Sequence, residues 1–238
     1  NENAAEELAF RTKKLMLELA PNLRKSELFI GTQHKFCLEL LKEYEPKYQD
    51  YNVLEDSSRY AFLCRRDIYN RLRLFDLPKL KYYFSTRDTK QNTNRVRIIN
   101  TFLKDIDIFR DEDLSTTFLS KTPEFKFSFL EYEKILDEHK FLDFSEITSK
   151  AVKLLRENQE IKKLVLKRYK YLIIDEYQDI NPIQEALINI FSENKNLFVV
   201  GDEDQCIYQF RGTNAKNFLE FSKRYPGVKE FKLKINYR

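Results

Sequence analysis

The sequence has no tryptophan, one methionine, two histidines, three cysteines and four glycines in 238 residues. Each shortage closes off a class of protein. Cys37, Cys64 and Cys206 are odd in number and far apart, which leaves no disulfide framework or zinc knuckle and suits a reducing, cytoplasmic setting. No apolar run approaches the ~20 residues that cross a bilayer, so no membrane is expected among its partners. The opening "NENAAEEL" is acidic where a secretory leader is basic and then apolar. None of Gly31, Gly201, Gly212 and Gly227 begins a Gly-x-x-x-x-Gly-Lys-Ser/Thr string, the loop whose amides and lysine cradle nucleotide phosphates.

What is present is charge and aromatic surface. The chain is 42% hydrophobic, 34% charged and 14% aromatic, enough apolar matter for one large domain or two small ones. A net charge of +4 hides an uneven distribution, because from Arg59 to Arg110 thirteen Lys/Arg stand against five Asp/Glu. The remainder is net negative. Tyr60, Phe62, Tyr69, Tyr82 and Phe84 interleave with those basic residues. Such a mixture serves either to attract phosphates and stack on bases, or as a solvated helical surface over an aromatic core.

Periodicity organises the rest. Ala4 to Leu19 reads as an amphipathic helix stopped by Pro21, with Ala4, Leu8, Leu15 and Leu19 near helical spacing. "SELFIGT" (Ser26 to Thr32) reads as a strand closed by Gly31, and "HKFCLELLKEY" as a helix. From 46 to 159 the pattern turns helical and charged. "SSRYAFLCRRDIYNRLRLF", "TNRVRIINTFLKDIDIF", "SFLEYEKILDEHK" and "LDFSEITSKAVKLLREN" each carry one apolar stripe, the last with Asp143 or Ser145 available as its cap. Then come a strand "KYLIID", a helix "PIQEALINIF" opened by Pro182, a strand "NLFVVGD", a helix "AKNFLEFSKRY" and a strand "VKEFKLK". Strands alternating with helices imply a parallel sheet. The expected architecture is α/β, with 1–45 and 160–238 sharing a truncated parallel sheet and 46–159 inserted as a large, mostly helical domain.

Ligands of open parallel sheets bind beyond the carboxyl ends of the strands. "YLIIDEYQDINPIQ" and "LFVVGDEDQ" both deliver acids there. One carboxylate at that rim can hold Mg²⁺ and its neighbour can polarise an attacking water. A single such end would read as turn and cap residues. Two ends, with Gln178 and Gln205 close behind, point to a magnesium-nucleotide site.

These residues also carry a resemblance. "DEYQDINPIQ" resembles the Walker B motif of the UvrD/Rep family of superfamily 1 DNA helicases, and "VVGDEDQCIYQFRG" resembles its motif III. "INYR" is similar to the start of motif IV, "NENAAEEL" to the latter part of motif Ia, "IGTQHKFC" to the next DNA-contacting motif, and "LDFSEI" to the segment before Walker B. The resemblance implies a RecA-like motor domain in an ATP-dependent helicase that moves along single-stranded DNA. By the same resemblance Asp175 would take the Mg²⁺ of ATP, Glu176 would activate the hydrolytic water, and Gln205 would sense the γ-phosphate. Tyr208 and Phe210 would line or stack on bases, with Arg211 near the strand or bridging toward the nucleotide. Tyr237 would stack on adenine, Arg238 would act as an arginine finger, and Thr32 and His34 would touch the DNA backbone. Bland alternatives stay open: His34 as a helix-start histidine, Tyr208 and Phe210 as core aromatics, Asp202 as a loop-ordering residue. Phe210 stands where the family often has tryptophan, which keeps a stacking face of smaller area.

The departure from the family pattern is the missing phosphate loop, which the family places upstream of motif Ia. The chain therefore reads as a segment of a longer protein: a first motor domain without its phosphate loop, expected to hydrolyse no ATP by itself. Its partners would be single-stranded DNA, the duplex junction beside the basic insertion, and the second motor domain of the same parent chain. The rival readings are a non-hydrolysing DNA-binding module and the helicase part of a helicase-nuclease.

Overall fold

The computed structural model describes residues 2–19, 28–74, 95–194, 196–202 and 220–233. Helix α1 (Glu2–Leu19) forms as the periodicity requires, but its leucine stripe is not the side that docks. Leu8, Leu15 and Leu19 are exposed, while Ala9 and Met16 line a shallow groove with Phe29 and Ile30. Helix α2 (Gln33–Tyr44) starts where the extended Thr32 accepts the Lys35 amide at 3.3 Å, and it buries Phe36, Cys37, Leu40 and Leu41.

A short 3₁₀ turn (Pro46–Asp50) leads into strand β1 (Asn52–Val53), and then into a group of helices. These are α3 (Asp56–Cys64), α4 (Arg66–Arg71), α5 (Arg95–Asp111), α6 (Thr116–Ser120) and α7 (Pro123–Glu138). The run Ser57–Phe75, expected as one helix, breaks at Arg65, whose backbone is extended. Phe62, Leu63, Ile68, Leu72 and Leu74 all enter one core. On a single straight helix of about 3.6 residues per turn they would point all around the axis, so the break is what brings both stripes inward. Ile99, Phe102, Ile106 and Phe109 of α5 and Phe125, Phe129 and Tyr132 of α7 complete that core.

Strand β2 (Phe141–Leu142) pairs in parallel with β1, Asn52 opposite Phe141 and Val53 opposite Leu142. Two residues a side gave no sequence signal. Helix α8 (Phe144–Glu157) follows, capped by Asp143, which accepts the Glu146 amide at 2.9 Å. Its Ile147, Ala151, Val152 and Leu155 lie at helical spacing and share a second core with α2, with Tyr48 and Tyr51, and with Val165 of α9 (Gln159–Arg168). Residues 48–53 and 142–165 thus pack with the flanking segments, while the first core is drawn from 54–136.

Strand β3 (Leu172–Ile174) and strand β4 (Leu197–Val199) pair in parallel through α10 (Pro182–Ser192). The register sets Leu172 beside Leu197, Ile173 beside Phe198, and Ile174 beside Val199. Beneath them Ile174, Tyr177, Ile180, Ile188 and Phe221 form a third core, the last from α11 (Phe221–Arg224).

Two expected strands are absent where they can be seen. Residues 28–30 of "SELFIGT" and residues 228–233 of "VKEFKLK" carry no regular structure, and neither joins a ladder among the described residues. A strand is completed by a hydrogen-bonded neighbour, and alternating apolar residues cannot supply one. The Phe29 ring instead packs edge-on against Phe36 at 5.2 Å, so close to Gly31 that a Cβ there would sit 2.9 Å from the ring. Among the described residues the protein is mostly helical with two small parallel sheets, and no helix is long and apolar enough to cross a membrane.

Candidate nucleotide site at the strand tips

Pairing between the two chain segments continues past the ends of β3 and β4. The Val200 amide donates to the Ile174 carbonyl at 2.8 Å, and the Tyr177 amide to the Val200 carbonyl at 2.9 Å. The acids that follow β3 are therefore held beside the segment Val200–Asp202. Asp175 and Glu176 are both exposed. Asp175 Oδ1 accepts the Glu176 amide at 3.0 Å, which fixes one oxygen.

Glu176 sits in the left-handed region at φ 52°, ψ 44°. For a residue with a Cβ that conformation costs about 1–2 kcal/mol, so neighbouring contacts must hold it. One such contact comes from Gln178, which is only 4% exposed. Its Nε2 donates to Glu176 Oε2 at 2.6 Å, and its Oε1 accepts the Asp202 amide at 3.1 Å. Behind the turn, Asn181 and Gln184 cap α10 reciprocally at 3.0 and 3.1 Å, with Pro182 in the first turn. This fixes the angle at which the chain leaves the site.

Underneath lies a polar cluster that sequence reasoning missed. Glu185, buried in α10, accepts Tyr177 Oη at 2.5 Å, Arg224 Nη1 at 2.9 Å and Tyr225 Oη at 3.1 Å. Burial, with the Glu185 carboxylate beside them, pushes both tyrosine hydroxyls well above their ordinary range. The available signal was the acid itself, the single charged residue among the buried side chains of α10.

Magnesium suits the donor chemistry of this rim. The ion is usually held by one or two carboxylates, with phosphates and water supplying the rest. Asp175 offers an exposed carboxylate of that kind, whereas no group of three or more His, Cys, Asp or Glu gathers into a protein-only cage among the described residues.

The other anticipated residues divide. Thr32 caps α2, and His34 in its first turn lies edge-on to Phe144 at 5.4 Å, burial lowering its pKa. Both have structural work at the start of α2. Gln205, Tyr208, Phe210, Arg211, Tyr237 and Arg238 lie outside the described residues.

The basic stretch is partly structural as well. Arg59 and Arg110, its two ends, are each 3% exposed. Arg110 Nη1 donates to both Asp143 oxygens at 2.9 Å, and Arg59 Nη1 to Asp107 at 2.7 Å. Tyr132 links them, accepting from Arg59 Nε and donating to Asp143, both at 2.8 Å. The paired guanidiniums hold the Asp143 carboxyl far below the usual range against its burial. Arg71 is bound to Glu131 and Glu138, and Arg95 lies over the Tyr69 ring at 4.3 Å. Arg66 is exposed and makes no ion pair with a described residue.

Over residues 1–226 the sequence matches the family described as the UvrD/REP helicase N-terminal domain. The chain belongs to the UvrD/REP helicase family. It is 29% identical over 242 residues to the "ATP-dependent DNA helicase Rep" of Buchnera aphidicola subsp. Acyrthosiphon pisum, which covers 99% of this chain and 34% of that protein. It is 31% identical over 239 residues to a "Probable DNA helicase II homolog" of Rickettsia conorii, again 99% of this chain and 34% of the relative. A 108-residue match at 42% identity joins 45% of it to 14% of the "Putative ATP-dependent DNA helicase YjcD" of Bacillus subtilis. This UvrD/REP chain spans about a third of the length of the first two relatives.

Proposed function

We propose that this chain is part of an ATP-dependent DNA helicase, contributing the metal-binding and water-activating carboxylates of a RecA-like motor domain. One observation carries the reading: Asp175 and Glu176 stand side by side beyond β3, in register with the end of the parallel neighbour β4. Names of full-length relatives as ATP-dependent DNA helicases support it. On this reading β3, α10 and β4 are a piece of the motor sheet contributed by 1–45 and 160–238, and 46–159 is the inserted helical domain beside the duplex junction.

Asp175 would hold Mg²⁺, which supplies charge neutralisation to the phosphates of the substrate ATP. Glu176 orients the attacking water and takes its proton at the carboxylate. Gln205 senses the γ-phosphate, Arg238 stabilises its developing charge, and Tyr237 stacks on the adenine. Tyr208 and Phe210 stack on single-stranded bases, with Arg211, Thr32 and His34 near the backbone. Closure of this motor domain on a second one moves the strand past those aromatics.

ATP turnover with Mg²⁺ and single-stranded DNA tests the reading. The 238-residue chain has no Gly-x-x-x-x-Gly-Lys-Ser/Thr string and is expected to show none. Turnover by this chain that Glu176→Gln abolishes would overturn the expected inactivity. In a form that carries a phosphate loop, Glu176→Gln should lower kcat by about 100- to 10,000-fold, the usual contribution of a general base. Unchanged kcat there would sink the assignment of Glu176.

A further inference from the structure

The link between Glu176 and Asp202 runs through one buried amide. Gln178 offers a donor pair and an acceptor on the two sides of a planar group. Its Nε2 meets the Glu176 carboxylate at 2.6 Å and its Oε1 meets the Asp202 N–H at 3.1 Å. Flipping the amide would set oxygen against carboxylate and NH₂ against N–H, so the chemistry of the partners fixes its orientation. At 4% exposure the side chain is sheltered from water that could replace either bond. Asp202 in turn opens the segment that carries Gln205, Tyr208, Phe210 and Arg211.

We propose that Gln178 is a positioning residue: it ties the Glu176 carboxylate to the Asp202 backbone, so the setting of that carboxylate follows the segment leading to the residues assigned to DNA. The proposal rests on the water-activating role assigned to Glu176. The alternative use of Gln178, as a strut that merely keeps β3 and β4 together, makes different predictions. Strand pairing already has its own bonds, from Val200 to Ile174 and from Tyr177 to Val200. The amide link adds a connection to one side chain, and that side chain is the one in the left-handed turn.

Two experiments test it. In a form of the protein that turns over ATP, Gln178→Glu preserves size and the acceptor for Asp202 but removes the donor facing Glu176. DNA-stimulated kcat should fall about 10- to 100-fold, the scale of a misplaced catalytic group, with KM for ATP and Kd for single-stranded DNA within about twofold. Glu176→Gln/Gln178→Glu should be no slower than Glu176→Gln alone, because both act through one carboxylate. Full kcat in Gln178→Glu beside an inactive Glu176→Gln overturns the positioning role and leaves the function standing. An active Glu176→Gln overturns the water-activating role of Glu176 on which the proposal rests. In the 238-residue chain, Gln178→Met should speed hydrogen exchange of the Asp202 amide about tenfold or more while the Tyr177 amide stays protected. No change at Asp202, or loss of protection at both amides, overturns the proposal, the second outcome marking Gln178 as a strut.

Discussion

Glu176 pays for its position in backbone strain, and that strain can be measured apart from its chemistry. Its φ of 52° is one that glycine adopts freely and other residues adopt at a cost. Glu176→Ala and Glu176→Gly both delete the carboxylate and its bond to Gln178, so their difference isolates the backbone. Thermal or urea unfolding should find Glu176→Gly more stable than Glu176→Ala by about 1 kcal/mol. The reverse order would mean that the turn relaxes once the side chain is gone. Asp143 is the opposite case, a residue whose side chain is the structure. Two guanidiniums, a tyrosine hydroxyl, Ser145 and a backbone amide converge on its carboxylate. Asp143→Ala leaves Arg59 and Arg110 buried without the carboxylate they share, and about 3–5 kcal/mol of stability should be lost in urea titration. Its folded pKa is depressed, so its stabilising contribution is present above the ordinary carboxylate pKa of about 3.9 and fades as pH falls through the lower folded value.

At the scale of elements, α5 shows how local and non-local information differ. Its apolar stripe was legible because helical hydrogen bonds close within the segment, and so were the Pro182 start of α10 and a cap for α8 at Asp143 or Ser145, of which the structure uses Asp143. β1 with β2, and the lack of a ladder at 28–30 among the described residues, were not legible, because a strand depends on residues far away in sequence. The candidate site divides in the same way. Asp175 and Glu176 stood out as acids ending an apolar run, whereas two of the three partners of Glu185 are Arg224 of α11 and Tyr225, well beyond any local pattern. Nor could charge counting separate Arg59 and Arg110, which neutralise buried acids, from basic residues free to meet phosphate. The same helix buries Asp105, whose pKa burial raises to about 7, Lys104 opposing. The sign follows from proton counting. Between the ordinary pKa of about 3.9 and the folded value near 7 the folded state binds the extra proton, so this residue's contribution to stability declines as pH rises across that window. Asp105→Asn should therefore raise stability at pH 8 by on the order of 1–3 kcal/mol and change little at pH 4. Chemical denaturation at the two pH values checks this, and an equal effect at both would deny that Asp105 titrates in the folded protein.

At the scale of the whole molecule, the β3–β4 sheet has one face covered and one face left open among the described residues. Leu172, Ile174, Leu197 and Val199 turn toward packed cores. On the other side Tyr171, Ile173, Phe198 and Val200 are 75%, 73%, 57% and 42% exposed, and Ile173 and Phe198 are direct neighbours across the ladder. Parallel sheets are normally covered on both faces, and a contiguous apolar patch on a soluble surface drives association. The purified 238-residue chain should therefore self-associate reversibly as its concentration rises, read as a growing sedimentation coefficient. Ile173→Lys with Phe198→Lys should return it to monomer, because like charges would face each other across any contact between two such sheets. Both side chains are already in water, so the double variant should unfold within about 0.5 kcal/mol of the parent chain. Charge-driven association through the basic stretch would behave differently, weakening with salt while hydrophobic burial does not. Association that disappears in high salt and survives the two lysines would place the contact on the Arg59–Arg110 surface and remove the sheet face from the account.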